Sequence, residues 1–178
     1  MEDAATIRRA SAHDAAAFRQ IENSAGMLFN AIPHLAWLTG IDDLPVDLYR
    51  EIVAYGWSWC AVDPAGRCIG FVCCTPEGSD FHVWELAVQR ERQGRGIGRT
   101  LMETSIAAAR QGGFRVVTLT TFRDVPWNAP FYRRLGFQIL EPDKVSQRLH
   151  GVVAEESLRG LPAEYRCVMR LNLEPAPD

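Results

Sequence analysis

A glycine-rich, basic run between residues 91 and 100 is the part of the chain best suited to chemistry. It lies between an apolar stretch that ends at Val88 and a helix-like stretch from Gly98 to Gln111, and it reads Glu91-Arg92-Gln93-Gly94-Arg95-Gly96-Ile97-Gly98-Arg99-Thr100. Alternate glycines let the backbone turn tightly and approach a ligand closely. The first N–H groups of a helix lack internal partners and, with the helix dipole, attract an anion. The run therefore predicts a phosphate or pyrophosphate site.

The spacing of the glycines separates the known kinds of phosphate loop. A dinucleotide-binding fingerprint has a glycine at the sixth position, and that position counted from Gly94 is Arg99. A P-loop needs Gly-Lys followed by Ser or Thr, and the chain has no such run. The remaining pattern, Gln93 to Gly98 after a strand and before a helix, resembles the pyrophosphate loop of the GNAT superfamily, the acetyl-CoA-dependent N-acetyltransferases. The alternative is a surface turn that uses glycine for geometry alone.

A second block, from Asn128 to Phe137, predicts a short helix with both ends marked. Asn128 is a favourable N-cap, and Gly136 suits the left-handed position after a helix. The block resembles a GNAT segment that follows the cofactor loop at about this separation. The resemblance implies that Asn128 contacts the pantetheine or phosphate end of acetyl-CoA and that the Tyr132 hydroxyl protonates the departing thiolate. The alternative is that the Tyr132 ring only packs.

The resemblance covers roughly residues 80–140 and implies that acetyl-CoA is the co-substrate, with no metal. Its pantetheine arm would pair with the end of the strand before the loop, and its pyrophosphate would lie on the loop. The residues implied to bind it are Leu86, Ala87, Val88, Gln93, Gly94, Arg95, Gly96, Ile97, Gly98, Arg99, Thr100 and Asn128.

Two titratable residues on the same strand are candidates for the base that takes the proton of the acceptor amine. By resemblance, His82 occupies the register in which relatives carry a catalytic His or Glu, and an unperturbed histidine pKa near 6.5 suits a base at neutral pH. Glu85 is the second candidate, or it binds the amine. An ordered water relay would make neither essential.

The acceptor site is expected where the first two helices and their connection cover the thioester. Carboxylates and aromatic rings suit a cationic amine on an apolar frame. The residues expected to line it are Glu22, Asn23, His34, Trp37, Asp42, Asp43 and Trp84. Each of these is also compatible with an ordinary helix surface or core position.

The elements that must position these residues alternate between helix and strand. The patterns predict strands at 6–9, 58–62, 67–74, 80–88, 116–122, 138–140 and 165–173, and helices at 15–25, 45–55, 98–111 and from Asn128. This order predicts an α/β fold with a mixed sheet and helices on both faces. It matches the GNAT fold, in which the sheet splays between its fourth and fifth strands. We expect one N-acetyltransferase domain over 1–173 and a disordered tail at 174–178, whereas 141–163 has no clear pattern.

Composition restricts the class of protein further. The 178 residues carry a net charge of -3, with both signs mixed along the chain, so a nucleic-acid partner is not expected. Apolar runs stay shorter than the about 20 residues needed to span a bilayer, and the start does not resemble a signal peptide. The five cysteines lack metal-ligand spacing, which suggests reduced thiols in a cytoplasmic protein.

Together these patterns favour an enzyme that transfers acetyl from acetyl-CoA to a primary amine of a small molecule. A peptide or protein amine is the alternative acceptor. A non-catalytic acyl-CoA-binding or sensing domain is the alternative from another class. The expected partners are acetyl-CoA and the amine, with no membrane partner, and the sequence is compatible with either a monomer or a homodimer.

Overall fold

A computed structural model describes residues 5–39 and 44–173 of the chain. The strands are β1 (Thr6–Arg9), β2 (Trp59–Val62), β3 (Cys68–Glu77), β4 (Asp80–Val88), β5 (Val116–Phe122), β6 (Gln138–Ile139) and β7 (Arg166–Asn172). The α-helices are α1 (Ala15–Gly26), α2 (Val46–Ala54), α3 (Ile97–Gln111), α4 (Ala129–Arg133) and α5 (Gln147–Leu158). Within the described ranges these strands form one seven-stranded sheet in the order β1-β2-β3-β4-β5-β7-β6. Because β4 and β5 are parallel whereas β5 and β7 are antiparallel, the sheet is mixed, and the predicted α/β class is confirmed.

The chain divides into two compact units. The first consists of the described parts of Met1–Pro76 together with Trp84–Ala108, and the second of Glu77–Val83 together with the described part of Ala109–Asp178. The expectation of one domain over residues 1–173 stays a prediction. The tail at 174–178 lies outside the described residues.

The core of the first unit is aromatic and lies beneath α1 and α2. The Phe18 ring stacks on Phe71 with centroids 4.1 Å apart, and Tyr49 meets both rings edge-on at 5.7 and 5.4 Å. All three side chains are buried. Offset-stacked and edge-on pairs are the favourable geometries for aromatic rings. This cluster therefore fixes both helices on the strands β2, β3 and β4.

The second unit is organised around β5, which is a central strand in it. Residues Asp80–Val83 of β4 pair with Val116–Leu119 in parallel register, and β7 pairs with β5 along its whole length. One face of β5 presents threonines, not apolar side chains, to α5. Arg148 of α5 donates a hydrogen bond to the Thr118 hydroxyl over 3.3 Å, and the Thr120 hydroxyl donates one to the Glu156 carboxylate. The second unit thus contains a polar layer between α5 and the sheet.

A bidentate ion pair completes that polar layer. Arg166 on β7 donates to both carboxylate oxygens of Glu156, over 2.8 and 3.2 Å, and each side chain is only 9% exposed. The guanidinium group also lies over the Phe122 ring, 4.8 Å from its centroid. Burial of two charges is tolerated when they are paired and fully hydrogen-bonded.

The structure extends one predicted strand and fills a segment that had no assignment. The strand predicted to end at residue 74 continues to Glu77, since a two-residue turn, Gly78-Ser79, suffices to connect β3 to β4. Gly78 adopts a φ of +64°, the left-handed conformation that such hairpin turns need. The segment 141–163, which had no assignment, contains α5, whose N-cap Ser146 accepts a hydrogen bond from the Leu149 N–H.

Candidate functional site

The glycine loop has the backbone geometry that the sequence predicts. Gly94 and Gly96 adopt φ values of +73° and +81°, which residues with a Cβ rarely adopt. A Cβ added at either glycine would meet nothing within 4 Å, so the loop surface is open. Helix α3 begins at Ile97, one position before the predicted start, and therefore includes Gly98.

A hydrogen bond and a close backbone approach position this loop on the strands of the first unit. The Gln93 side chain donates to the Val88 carbonyl over 2.9 Å, at the end of β4. On β3, a Cβ at Gly70 would lie 3.2 Å from the Ala87 oxygen and 3.4 Å from Ile97 Cγ2. Gly70 therefore permits the close approach of β4 and α3. The sequence analysis missed it, although a lone glycine inside a strand signals such an approach.

The exposed side of the loop suits a polyanion. Gly94, Arg95 and Gly96 are exposed at the N-terminus of the long helix α3, where backbone N–H groups lack internal partners. Arg99 pairs with Glu103 over 2.8 Å. The Thr100 hydroxyl donates to the Gly96 carbonyl over 3.2 Å, so this side chain supports the turn. The residues present thus fit a pyrophosphate.

His82 lies in the second unit with no exposed surface. Its Nδ1 is 2.8 Å from the hydroxyl oxygen of Thr118, which lies opposite His82 in the β4–β5 register. Burial, reinforced by the charge of Arg148, lowers the pKa of His82 to about 3. The imidazole is therefore neutral at physiological pH and holds a proton weakly.

Trp84 and Glu85 lie on the part of β4 that belongs to the first unit, and both are half-buried. Trp84 donates to the Thr75 hydroxyl over 2.8 Å, and a Glu85 oxygen accepts from the Leu86 N–H over 3.2 Å. Trp84 and Ala87 both pack against the core under α1 and α2, although strict alternation would place them on opposite faces. The strand alternation therefore breaks between them, as a bulge would require.

Glu22 on α1 is held by a residue that the sequence analysis did not select. The Tyr49 hydroxyl donates to a Glu22 carboxylate oxygen over 2.6 Å. Burial and then the charges of Glu85 and Glu22 raise the pKa of Tyr49 far above its ordinary value. Glu22 thus contacts this phenol directly, and the charge of Glu85 also acts on it.

The connection between α1 and α2 contains the other acceptor candidates. Trp37 lies in a 3₁₀ helix, Pro33–Leu38, and is 49% exposed, with its indole N–H donating to the His34 carbonyl over 3.0 Å. Asp42 and Asp43 lie outside the described residues.

Asn128 and Tyr132 lie at the start and near the end of the short helix α4, in the second unit. Asn128 is the N-cap residue of this helix, as predicted, but its side chain makes no capping hydrogen bond, and its backbone φ and ψ of -109° and -111° depart from usual cap geometry. Its carbonyl accepts from the Tyr132 N–H over 3.1 Å. The Tyr132 ring, 8% exposed, packs edge-on against Phe131 and Phe137.

Comparison with known proteins gives the family. The Acetyltransferase (GNAT) family profile matches residues 29–137, which is more than half of the chain. The chain belongs to the GNAT family. A relative named as the uncharacterized N-acetyltransferase ycf52 of Porphyra purpurea is 34% identical over 84 residues. That match covers 47% of this chain and 46% of the relative, so the chain spans about half the length of the curated relatives it matches.

Solved structures share the GNAT fold over nearly the whole chain. The PaiA N-acetyltransferase of Thermoplasma acidophilum, crystallised in complex with coenzyme A, superposes with a TM-score of 0.69 at 14% identity, covering 96% of this chain and 99% of that one. A GNAT acetyltransferase of Staphylococcus aureus Mu50 gives a TM-score of 0.73 at 13% identity, with 96% and 100% covered.

The part of the chain that the structure describes lacks both a metal-binding cluster and a membrane-spanning helix. Residues 5–39 and 44–173 contain no group of three or more His, Cys, Asp or Glu side chains placed to hold a metal ion. Across these same ranges, no helix has the length and apolar character to cross a bilayer.

Proposed function

We propose that this GNAT protein is an acetyl-CoA-dependent N-acetyltransferase that acetylates a primary amine of a small molecule. The glycine loop carries the proposal, because its two left-handed glycines leave an open, basic turn at the N-terminus of α3. Such a turn binds a pyrophosphate through backbone N–H groups. The coenzyme A complex of the Thermoplasma acidophilum protein, which shares the fold, supports this ligand.

Acetyl-CoA would supply an activated acetyl thioester. Gly94, Arg95 and Gly96 hold the pyrophosphate, and the adjoining residues 97–100 extend that site. The backbone of Leu86–Val88 pairs with the pantetheine arm. Gln93 acts indirectly, since its side chain is bound to the Val88 carbonyl and keeps the loop in position.

Glu85 is the better candidate for the base that takes the proton of the amine. A base has to reach the acceptor, and Glu85 is half-buried on β4 whereas His82 has no exposed surface. A histidine whose pKa is about 3 is also a poor base at neutral pH. We therefore assign proton removal to Glu85 and a supporting role within the strand pair to His82, through its bond to Thr118.

Tyr132 is the proposed proton donor to the departing thiolate. Its ring is fixed between Phe131 and Phe137, so the hydroxyl has a restricted range of positions. A positioned general acid typically contributes about 10²- to 10⁴-fold to a rate. The assignment rests on the GNAT segment that the chain matches, as does the role of Asn128 in holding the cofactor arm.

The acceptor is proposed to be a cationic amine. Glu22 offers a carboxylate, while Trp84 and the exposed Trp37 offer aromatic surface. Carboxylate and ring together recognise an ammonium group. We propose a small-molecule amine as this acceptor, with a protein or peptide amine as the alternative.

An amine panel tests the proposal. Purified protein is incubated with acetyl-CoA and, in separate wells, putrescine, tyramine, histamine, glucosamine or a short peptide with a free N-terminus, and thiol release is followed. We expect release with at least one small amine. Release with the peptide alone would change the acceptor class. Binding of acetyl-CoA without release in any well would show an acyl-CoA-binding protein.

A further inference from the structure

The ring of Tyr49 is one of the most tightly packed groups in the first unit. It projects from α2 into the core and touches Phe18 and Phe71 edge-on, with interplanar angles of 87° and 84°. The side chain has no exposed surface. Packing of this kind leaves the phenol oxygen little freedom, because interior side chains are held by neighbours on all sides.

The fixed hydroxyl donates to the carboxylate of Glu22 on α1. The oxygen–oxygen distance of 2.6 Å is short, as expected for a hydroxyl bound to an ionised carboxylate. Glu22 itself is only half-buried. The half-buried glutamate is thereby tied to a rigid core residue, which reduces the side-chain entropy that it must lose when it binds a ligand.

Glu85 is the second acidic group near this phenol. Its charge, like that of Glu22, raises the pKa of Tyr49, and both charges also raise the pKa of the buried thiol of Cys73. Trp84 and Ala87, which lie on either side of Glu85 along β4, pack on the same core cluster as Tyr49, to which Glu22 is bound. The fold therefore brings Glu85 towards Glu22, although 63 positions separate them in the sequence (85 minus 22).

We propose that Tyr49 is a positioning residue for the acceptor: its hydroxyl holds the Glu22 carboxylate beside Glu85, so that Glu22 binds the cationic amine whose proton Glu85 removes. The inference rests on the proposed acetyltransferase function and adds a residue to it. Tyr49 does not touch the acceptor; it acts through Glu22.

Tyr49→Phe tests this with the most active small amine of the panel. The substitution keeps the ring in the aromatic core and removes only the donor. We expect the KM for the amine to rise about tenfold, because a hydrogen bond to a charged group is lost. The KM for acetyl-CoA should stay within about twofold. Tyr55→Phe is the matched control, since Tyr55 ends the same helix but is 60% exposed; it should leave both constants unchanged.

A double-mutant cycle separates positioning from a merely structural effect. Glu22→Gln should raise the amine KM by at least as much as Tyr49→Phe, and the double variant should show no further rise, because both changes remove one interaction. Additive effects, or an unchanged amine KM in either single variant, would overturn the inference while leaving the acetyltransferase proposal standing. If Tyr49→Phe does not fold, Glu22→Gln at its half-buried position still decides the matter. Absence of thiol release by the wild type with every amine would overturn both.

Discussion

Replacing Gly96 with aspartate separates the geometry of the loop from its charge. Gly96 has a φ of +81°, and an added Cβ would meet nothing within 4 Å. The cost to folding is therefore the strain of a left-handed non-glycine residue, about 1–2 kcal/mol. In a domain of this size each kcal/mol lowers Tm by about 2–4 °C. The variant should thus fold, with a Tm about 2–8 °C below that of the wild type.

The effect on the ligand should be much larger than the effect on the fold. Acetyl-CoA at about 100 times its Kd should stabilise the wild type by about 2.7 kcal/mol, which raises Tm by about 5–11 °C. A carboxylate about 4 Å from a phosphate costs about 1 kcal/mol in water and about 4 kcal/mol at the effective dielectric of a protein surface. Affinity should then fall by between about fivefold and about a thousandfold. Thermal unfolding with and without acetyl-CoA measures both quantities.

Two matched variants make this result interpretable. Gly96→Asn has nearly the same shape without the charge and should retain much of the acetyl-CoA shift. Gly66→Asp introduces the same carboxylate at a φ of +77° in the open turn between β2 and β3, and should retain all of it. A full shift in Gly96→Asp would refute the assignment of the loop to the pyrophosphate, and so would an equal loss in Gly66→Asp.

Three further predictions concern the second unit. Tyr132→Phe should lower turnover by about 10²- to 10⁴-fold at nearly unchanged acetyl-CoA affinity; wild-type turnover would show that the thiolate leaves without help. The pKa of His82 is about 3 in the folded protein and 6.5 in the unfolded protein. At a pH between these two pKa values the unfolded state binds more protons, so the stability of the fold decreases as the pH is lowered. In urea unfolding, the free energy of unfolding of the wild type should therefore fall by about 2 kcal/mol from pH 7 to pH 5, and His82→Gln should lack this fall. Equal pH dependence in both proteins would contradict this prediction. Arg166→Met should lower the free energy of unfolding by about 3–5 kcal/mol, because the Glu156 carboxylate then stays buried without its cation. Adding Glu156→Leu should restore much of that stability, and a larger loss of stability in the double variant would contradict this prediction.

The features that could be predicted from the sequence are those that depend on residues close together along the chain. The glycine loop, β4 and α3 were found because glycine spacing, an apolar strand and a helix start follow one another within a few residues. The same local signals identified the helix that contains Tyr132. In each case neighbouring residues along the chain determine the backbone, so no tertiary information was needed.

What the sequence could not show depends on residues that are distant along the chain. Helix α5 was missed because its buried face, which includes Leu149 and Val152, also contains Glu156, and a buried glutamate is stable only because Arg166 pairs with it. The burial of His82 depends in the same way on the elements packed around it. Its register along β4 was visible, whereas its lack of exposed surface was not.

The most direct test of the central claim is to follow the acetyl group itself. The protein is incubated with acetyl-CoA carrying an isotopically labelled acetyl group and the most active amine, and the products are analysed by mass spectrometry. The account predicts an amine that is heavier by one labelled acetyl group, one free coenzyme A thiol per product, and little of either with Gly96→Asp. Acetyl-CoA that stabilises the protein but leaves every amine of the panel unlabelled would contradict it.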